Sequence, residues 1–146
     1  MSDLVLDSRP TTTFWIVGSA AFIWNLIGLV FYIGHVTISP EALAAMPQAQ
    51  QDFFAETPTW ATAAFALAVN AGVLGSLFLL LRKAWAVPMF VLSLVAVIVQ
   101  DIDAFVLRDG FSAVGVNGII IPSMVVVIAI ALLFYARGTK EKGWLA

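Results

Sequence analysis

The sequence predicts an all-α fold, a polytopic membrane four-helix bundle with up-down-up-down order and both termini in the cytoplasm. Four long apolar runs fill most of the 146 residues, of which 62% are hydrophobic. Only 11% of the residues are charged, against roughly 25% in an ordinary soluble domain. A bilayer core of about 30 Å needs about 20 apolar residues per helix, and each run is long enough. We therefore expect a single membrane domain over residues 1–146.

The distribution of basic residues predicts the orientation of these spans. The runs cover approximately residues 13–36, 58–81, 85–107 and 112–136. If they alternate in direction, one side of the membrane receives Arg9, Arg82, Lys83, Arg137, Lys140 and Lys142. The other side receives only Arg108. Cytoplasmic loops carry an excess of Lys and Arg, so this asymmetry predicts that the N- and C-termini are cytoplasmic.

The first run is predicted to be a retained helix that follows a short polar arm over residues 1–12. It is longer than the apolar core of a signal peptide, which spans about 7–15 residues. Residues 37–57 form the outer loop, where Ser39-Pro40-Glu41 has the pattern of a helix N-cap. We expect a short interfacial helix over about 40–46 that ends before Pro47. Thr57-Pro58 repeats the same signal at the start of the second span.

Two very short connections predict antiparallel neighbours. Arg82-Lys83-Ala84 joins spans two and three, and Arg108-Asp109-Gly110 joins spans three and four. Span four contains Pro122, which lacks a backbone N–H and clashes with the carbonyl of Gly118. The sequence therefore predicts a kink at Pro122.

Small and polar residues predict how the spans pack. Span one carries a stripe with spacings of 3 and 4 residues, typical of a helix-packing seam: Gly18, Ala21, Asn25, Gly28, Tyr32 and His35. Span two carries two rows that let helix backbones approach closely: Ala68, Gly72 and Ser76, with Ala71 and Gly75 beside them. Asn70 lies near the depth of Asn25, and a contact between them would satisfy both amides. The predicted packing core is Asn25, Gly28, Asn70, Gly72 and Ser76.

Polar residues also gather near the outer ends of three spans, at similar predicted depths. The candidate ligand-binding set is Tyr32, His35, Gln100, Asp101, Asp103 and Asn117. One interpretation is an outward-facing pocket. The alternative is that Asp101 and Asp103 lie in the headgroup zone and pair with Arg108 or water, and that Tyr32 and His35 belong to the packing seam.

The composition excludes several kinds of chemistry. Without cysteine there is no disulfide, thiolate nucleophile or iron–sulfur ligation in the chain. The single histidine, His35, prevents a bis-histidine haem site within one chain. No spacing typical of a metal site supports a metal or another cofactor, and no basic stripe supports nucleic-acid binding. The expected partners are the lipid bilayer and either a second copy of the chain or another membrane protein.

Three motifs resemble small four-helix proteins of the bacterial inner membrane. They are Phe14-Trp15-Ile16-Val17, Trp24-Asn25-Leu26-Ile27-Gly28, and Leu74-Gly75-Ser76 continuing to the stretch from Leu79 to Pro88. These relatives are uncharacterised, and some carry the label "sugar transporter". The resemblance covers spans one to three and implies four-span topology and an inner-membrane location.

Three functional hypotheses follow from these observations. The first is a membrane protein that acts by helix packing, as a homo-oligomer or an accessory subunit. The second is a small-solute or ion transporter or channel with an outward-facing polar site. The third is a membrane enzyme that uses His35 with Asp101 or Asp103, although no catalytic motif supports it.

Overall fold

A computed structural model describes residues 9–146, which form helices and loops and no strand. The predicted polar arm lies largely outside this range. The helices are α1 (Thr12–Val36), α2 (Pro40–Ala44), α3 (Gln48–Ala55), α4 (Thr59–Leu80), α5 (Ala86–Asp101), α6 (Gly110–Val114) and α7 (Asn117–Glu141). A π-helical turn, Ile102–Leu107, continues α5. Four helices are long and apolar enough to cross a membrane: Thr12–Val36, Thr59–Leu80, Ala86–Leu107 and Asn117–Glu141. The predicted all-α fold with four apolar helices is confirmed.

The last predicted span has different bounds in the structure. Residues 110–114 form the separate helix α6. Gly115, with φ 69°, interrupts the helix before α7 begins at Asn117. At its other end α7 continues past Ala136 to Glu141. The apolar composition marks the part of the helix that can lie in a bilayer, whereas the helical hydrogen bonds continue into the polar residues that follow.

The loop over residues 37–57, predicted to lie on the outer side, contains two helices instead of the predicted one. Ser39 caps α2, since its Oγ accepts a hydrogen bond from the backbone N–H of Ala42 at 3.1 Å. Pro47, expected to end the loop helix, also occupies the N-cap position of α3. Thr57 does not cap α4, contrary to the prediction. Its hydroxyl instead donates to the Phe53 carbonyl at 3.0 Å and accepts from Arg108 at 3.1 Å.

Helix α4 lies at the centre of the packing, against α1 and against α5, and α5 also packs on α7. Its small residues are buried inside the chain: Ala68, Ala71, Gly72, Gly75 and Ser76. A Cβ added at Gly72 would collide with the side-chain amide of Asn25 and lie 3.3 Å from Ser93 Oγ. Three helices, α1, α4 and α5, therefore meet at Gly72.

The stripe on α1 lies along α4. A Cβ at Gly18 would lie 2.8 Å from Leu80, and one at Gly28 would lie 3.7 Å from Val69. Asn25 and Asn70, predicted to bond to each other, each bond to their own helix instead. Asn25 Nδ2 donates to the Ala21 carbonyl, and Asn70 Nδ2 donates to the Ala66 carbonyl, each at 2.8 Å. In a bilayer, a bond to the helix's own backbone removes the need for a partner on another helix.

One end of the bundle, which we call the basic end, is defined by Arg82, Lys83, Arg137, Lys140 and Lys142. A buried apolar cluster lies there, formed by Phe14, Leu79, Ala86, Phe90, Ala136, Trp144 and Leu145. The last residues fold back into it. Arg82 Nε donates to the Trp144 carbonyl at 2.9 Å, and the Ala146 backbone bonds to Arg82 and Ala84. Trp144 is buried and packs edge-on against Phe14.

Candidate ligand-binding cavity

A cavity of about 390 Å³, which we call the main cavity, lies among α1, α4, α5 and α7. Small-molecule sites in proteins usually measure about 300–1,000 Å³, so this cavity has the size of a ligand site. Most of its lining is apolar or aromatic, with Trp24, Phe31, Phe65, Phe90, Met124 and Leu132 among the larger side chains. An apolar lining with few polar groups is the usual composition of such sites.

The cavity opens on the side of the bundle, between α1 and α7. The lining residues Ile27 and Phe31 on α1 and Ile121 and Met124 on α7 are all exposed. Pro122, where the sequence predicts a kink, lies within α7 and forms part of the same wall. The side opening is thus flanked by apolar side chains rather than by polar loops.

Polar groups enter the cavity at few places, and two of them are already engaged. Ser93 Oγ donates to the Ala68 carbonyl at 2.7 Å, and Asn25 Nδ2 donates to its own helix. Gln100 and Asp101 also line the cavity, and neither side chain makes a hydrogen bond or ion pair with another of residues 9–146. The carboxamide and the carboxylate are both only partly buried. They are therefore the polar groups available to a molecule in the cavity.

Asp103 does not line the cavity and forms an ion pair with Arg108, as the alternative interpretation predicts. Arg108 Nε donates to Asp103 Oδ2 at 2.8 Å, and Arg108 Nη1 donates to the Phe53 carbonyl at 2.8 Å. The guanidinium carbon also lies 4.1 Å from the centre of the Phe53 ring. Arg108 thus ties the π-helical turn to α3 and to Thr57. We call this group, formed by Phe53, Thr57, Asp103 and Arg108, the arginine clamp.

The helical geometry explains why the two aspartates have different surroundings. Residues two apart on an α-helix lie about 200° apart around its axis, given 3.6 residues per turn. Asp101 faces the cavity, so Asp103 faces away from it, toward α3 and Arg108. The π-helical turn begins at Ile102, between the two aspartates. Arg108 caps the C-terminal end of this turn, and its backbone N–H donates to the Asp103 carbonyl at 3.0 Å.

His35 and Tyr32 lie on the other side of Phe65. The imidazole of His35 stacks on Phe54 with 4.6 Å between ring centres, and Tyr32 contacts Phe65 edge-on at 5.2 Å. His35 lines a second cavity of about 650 Å³, formed mainly by α1, whose other lining residues include Met46 before α3 and Phe54 within α3. It does not line the cavity that contains Asp101.

Asn117, the last candidate, is exposed at the first turn of α7 and lines neither cavity. The six predicted residues therefore occupy four environments: the main cavity, the second cavity with the Phe65 face beside it, the arginine clamp and the surface. Within residues 9–146, no group of three or more His, Asp or Glu residues could hold a metal ion.

No protein-family model, curated protein or solved structure matches this chain.

Sequence reasoning missed most of the cavity wall, because its apolar residues look like any others that face lipid. On α7 the lining residues follow helical spacing: Ile121, Pro122, Met124, Val125, Ile128, Ala129 and Leu132. Pro122 and Ala129 are the signals that could have been noticed. The proline removes a backbone hydrogen bond and favours a bend in α7, and the small Ala129, seven residues later on the same face, occupies little of the space beside it.

Proposed function

We propose that this chain is a multi-pass protein of the bacterial inner membrane that binds a small, largely apolar molecule in the cavity between α1 and α7. The observation that carries the proposal is that the apolar cavity holds two polar side chains without partners, Gln100 and Asp101. A polar group in a lipid-facing protein is costly, so residues of this kind mark functional sites. The side opening supports entry of the ligand from the bilayer.

Several observations favour binding over the other hypotheses. The small-residue rows of α4 that suggested an oligomer or accessory subunit are buried against α1 and α5 of the same chain. Transport normally requires polar groups near the membrane midplane. Asn25 and Asn70, the candidates at that depth, hydrogen-bond to their own helices. The enzyme hypothesis required His35 beside Asp101 or Asp103, and the three side chains lie in different environments.

Filling the cavity should remove the ligand. We expect native mass spectrometry of the protein, released gently from its own membrane, to show one small molecule retained per chain. Ala129→Trp places an indole in the cavity and should abolish this retention. Ala131→Trp is the matched control, since Ala131 is exposed on the same helix and lines neither cavity. Retention by both variants, or no bound molecule in the unsubstituted protein, would refute the proposal. The measured mass also reports whether the protein is a homo-oligomer or is released with another protein.

The proposed orientation has an up-down-up-down order with cytoplasmic termini. It is supported by the basic end, where Phe14 in the first turn of α1 and Ala136 near the end of α7 belong to one buried cluster. Because the chain lacks cysteine, single-cysteine variants can be labelled cleanly. In intact spheroplasts, a membrane-impermeant maleimide should label Ala49→Cys in α3. It should label Lys140→Cys only after the membrane is opened. The reverse pattern would invert the topology.

A further inference from the structure

The shape of the main cavity restricts the kind of molecule that fits it. Phe90 and Leu132 line one end of the cavity. Phe90 belongs to the buried cluster at the basic end, and Leu132 packs against that cluster. Gln100 and Asp101 line the other end of the α5 wall. From Phe90 to Asp101 is 11 residues, or about 16 Å at 1.5 Å per residue. The cavity is therefore elongated, apolar along its length and polar at one end.

The charge of the lining restricts the ligand further. Among the lining residues that the structure describes, Asp101 is the one acidic residue, and none is Lys, Arg or His. The nearest basic side chain along the chain, Arg108, is engaged by Asp103, Phe53 and Thr57 in the arginine clamp. A carboxylate in an apolar wall without a counter-charge favours a cationic group of the ligand.

From this geometry we infer that the cavity binds a single-tailed amphiphile with an ammonium head group. The ammonium donates to the Asp101 carboxylate and to the Gln100 carbonyl oxygen, and the alkyl or aryl tail lies along α5 toward Phe90 and Leu132. Charge-assisted hydrogen bonds are about twice as strong as neutral ones, so this contact supplies the specificity. The inference rests on the proposed binding function and names its ligand class.

The same lining disfavours a phospholipid as the ligand. The head group of phosphatidylethanolamine offers an ammonium but also carries a phosphate. Phosphate sites are usually formed by Arg, Lys or backbone N–H groups at a helix N-terminus, and the lining holds no basic side chain. Two acyl tails would also exceed the volume of the cavity, about 390 Å³, so one of them would have to lie outside it. We therefore commit to an amine that carries one tail and no phosphate.

The test uses three probes with the same tail: dodecylamine, dodecanol and dodecanoate. Each is titrated into the full chain in phosphatidylcholine nanodiscs, with empty nanodiscs subtracted, and binding is measured by calorimetry. We expect dodecylamine to bind once per chain and more tightly than the other two. Hydrogen bonds to charged groups contribute about 1.5–3 kcal/mol, so Asp101→Asn should weaken amine binding by roughly 10-fold to 100-fold. The same substitution should have little effect on the affinity for dodecanol.

Three variants complete the design. Asp101→Glu retains the carboxylate and should retain the preference for the amine. Glu41→Gln removes a carboxylate from exposed helix α2, outside the cavity, and should leave binding unchanged. Ala129→Trp should block all three probes. Adding phosphatidylethanolamine to the nanodiscs should not displace dodecylamine; displacement would assign the site to a lipid head group and overturn the inference.

The outcomes separate the two proposals. If the three probes bind alike and Asp101→Asn has no effect, the head-group inference is wrong, although Ala129→Trp still blocks binding. Tighter binding of dodecanoate would also overturn it. If none of the probes binds, or if binding is unchanged in Ala129→Trp, the cavity does not bind amphiphiles. The proposed function then fails as well. The unfolding midpoint of each variant, measured in parallel, identifies any loss that is due to misfolding.

Discussion

Replacing Arg108 by Gln is expected to lower the free energy of unfolding by about 3–5 kcal/mol, the largest effect we predict for this chain. The exposed fraction is 2% for the Asp103 side chain and 12% for that of Arg108. The substitution leaves a buried carboxylate without its cation, and the cost of that desolvated charge exceeds the loss of the contact itself. It also removes the donor to the Phe53 carbonyl and to Thr57, so α3 loses its attachment to the π-helical turn.

Unfolding by dodecyl sulfate in mixed micelles, followed by circular dichroism, measures this effect. Arg137→Gln is the matched control, because Arg137 is exposed at the basic end, and it should change stability by less than about 0.5 kcal/mol. The double variant Asp103→Asn with Arg108→Gln should be more stable than Arg108→Gln alone, since no buried charge remains. Equal stability of Arg108→Gln and the unsubstituted protein would contradict the role of the clamp.

Replacing Gly72 by Leu should cost about 3 kcal/mol and reduce the amount of folded protein in membranes. At this position the backbone of α4 lies against Asn25 of α1 and Ser93 of α5. Even a Cβ would collide with the Asn25 amide, and a leucine must separate α1 from α4. Closely packed helix interfaces accept small residues because larger ones push the backbones apart.

Gly34→Leu provides the control for this prediction. Gly34 is also a helical glycine in an apolar helix, but a Cβ there has no neighbour within 4 Å. Both substitutions change helix propensity in the same way. The difference between their effects on stability therefore measures the contribution of close packing at Gly72. If Gly34→Leu destabilises the protein as much as Gly72→Leu, close packing at Gly72 is not the cause.

Much of the fold could be predicted because length and hydropathy depend on local composition alone. The four apolar helices are found within a few residues of their predicted positions, apart from the last one. Its start was misplaced because Ser112 lies in an apolar run, and only the positive φ of Gly115 separates α6 from α7. Helix α3 was missed because its sequence, QAQQDFFA, is neither strongly apolar nor clearly periodic.

The candidate site could be predicted only in part, because depth in the membrane does not fix direction around a helix. All of the candidate residues except Tyr32 had similar predicted depths. Gln100 and Asp101 nevertheless line the main cavity, whereas Asp103 contacts Arg108 and His35 contacts Phe54. The long-range contact between Arg108 and Phe53 has no sequence signal. The cavity itself is a space that helix packing leaves, and no single residue specifies it.

The side opening between α1 and α7 has a consequence for how affinity should be measured. A molecule that reaches the cavity through this opening is first concentrated by the lipid, and its concentration there depends on its tail. Burying each additional methylene contributes about 0.8 kcal/mol, so membrane partitioning alone raises the apparent affinity relative to water roughly fourfold per carbon. Selectivity of the protein among tails must therefore be judged at equal mole fraction in the bilayer. On that scale, the contribution of Ile27, Phe31, Ile121 and Met124 becomes separable from that of the membrane.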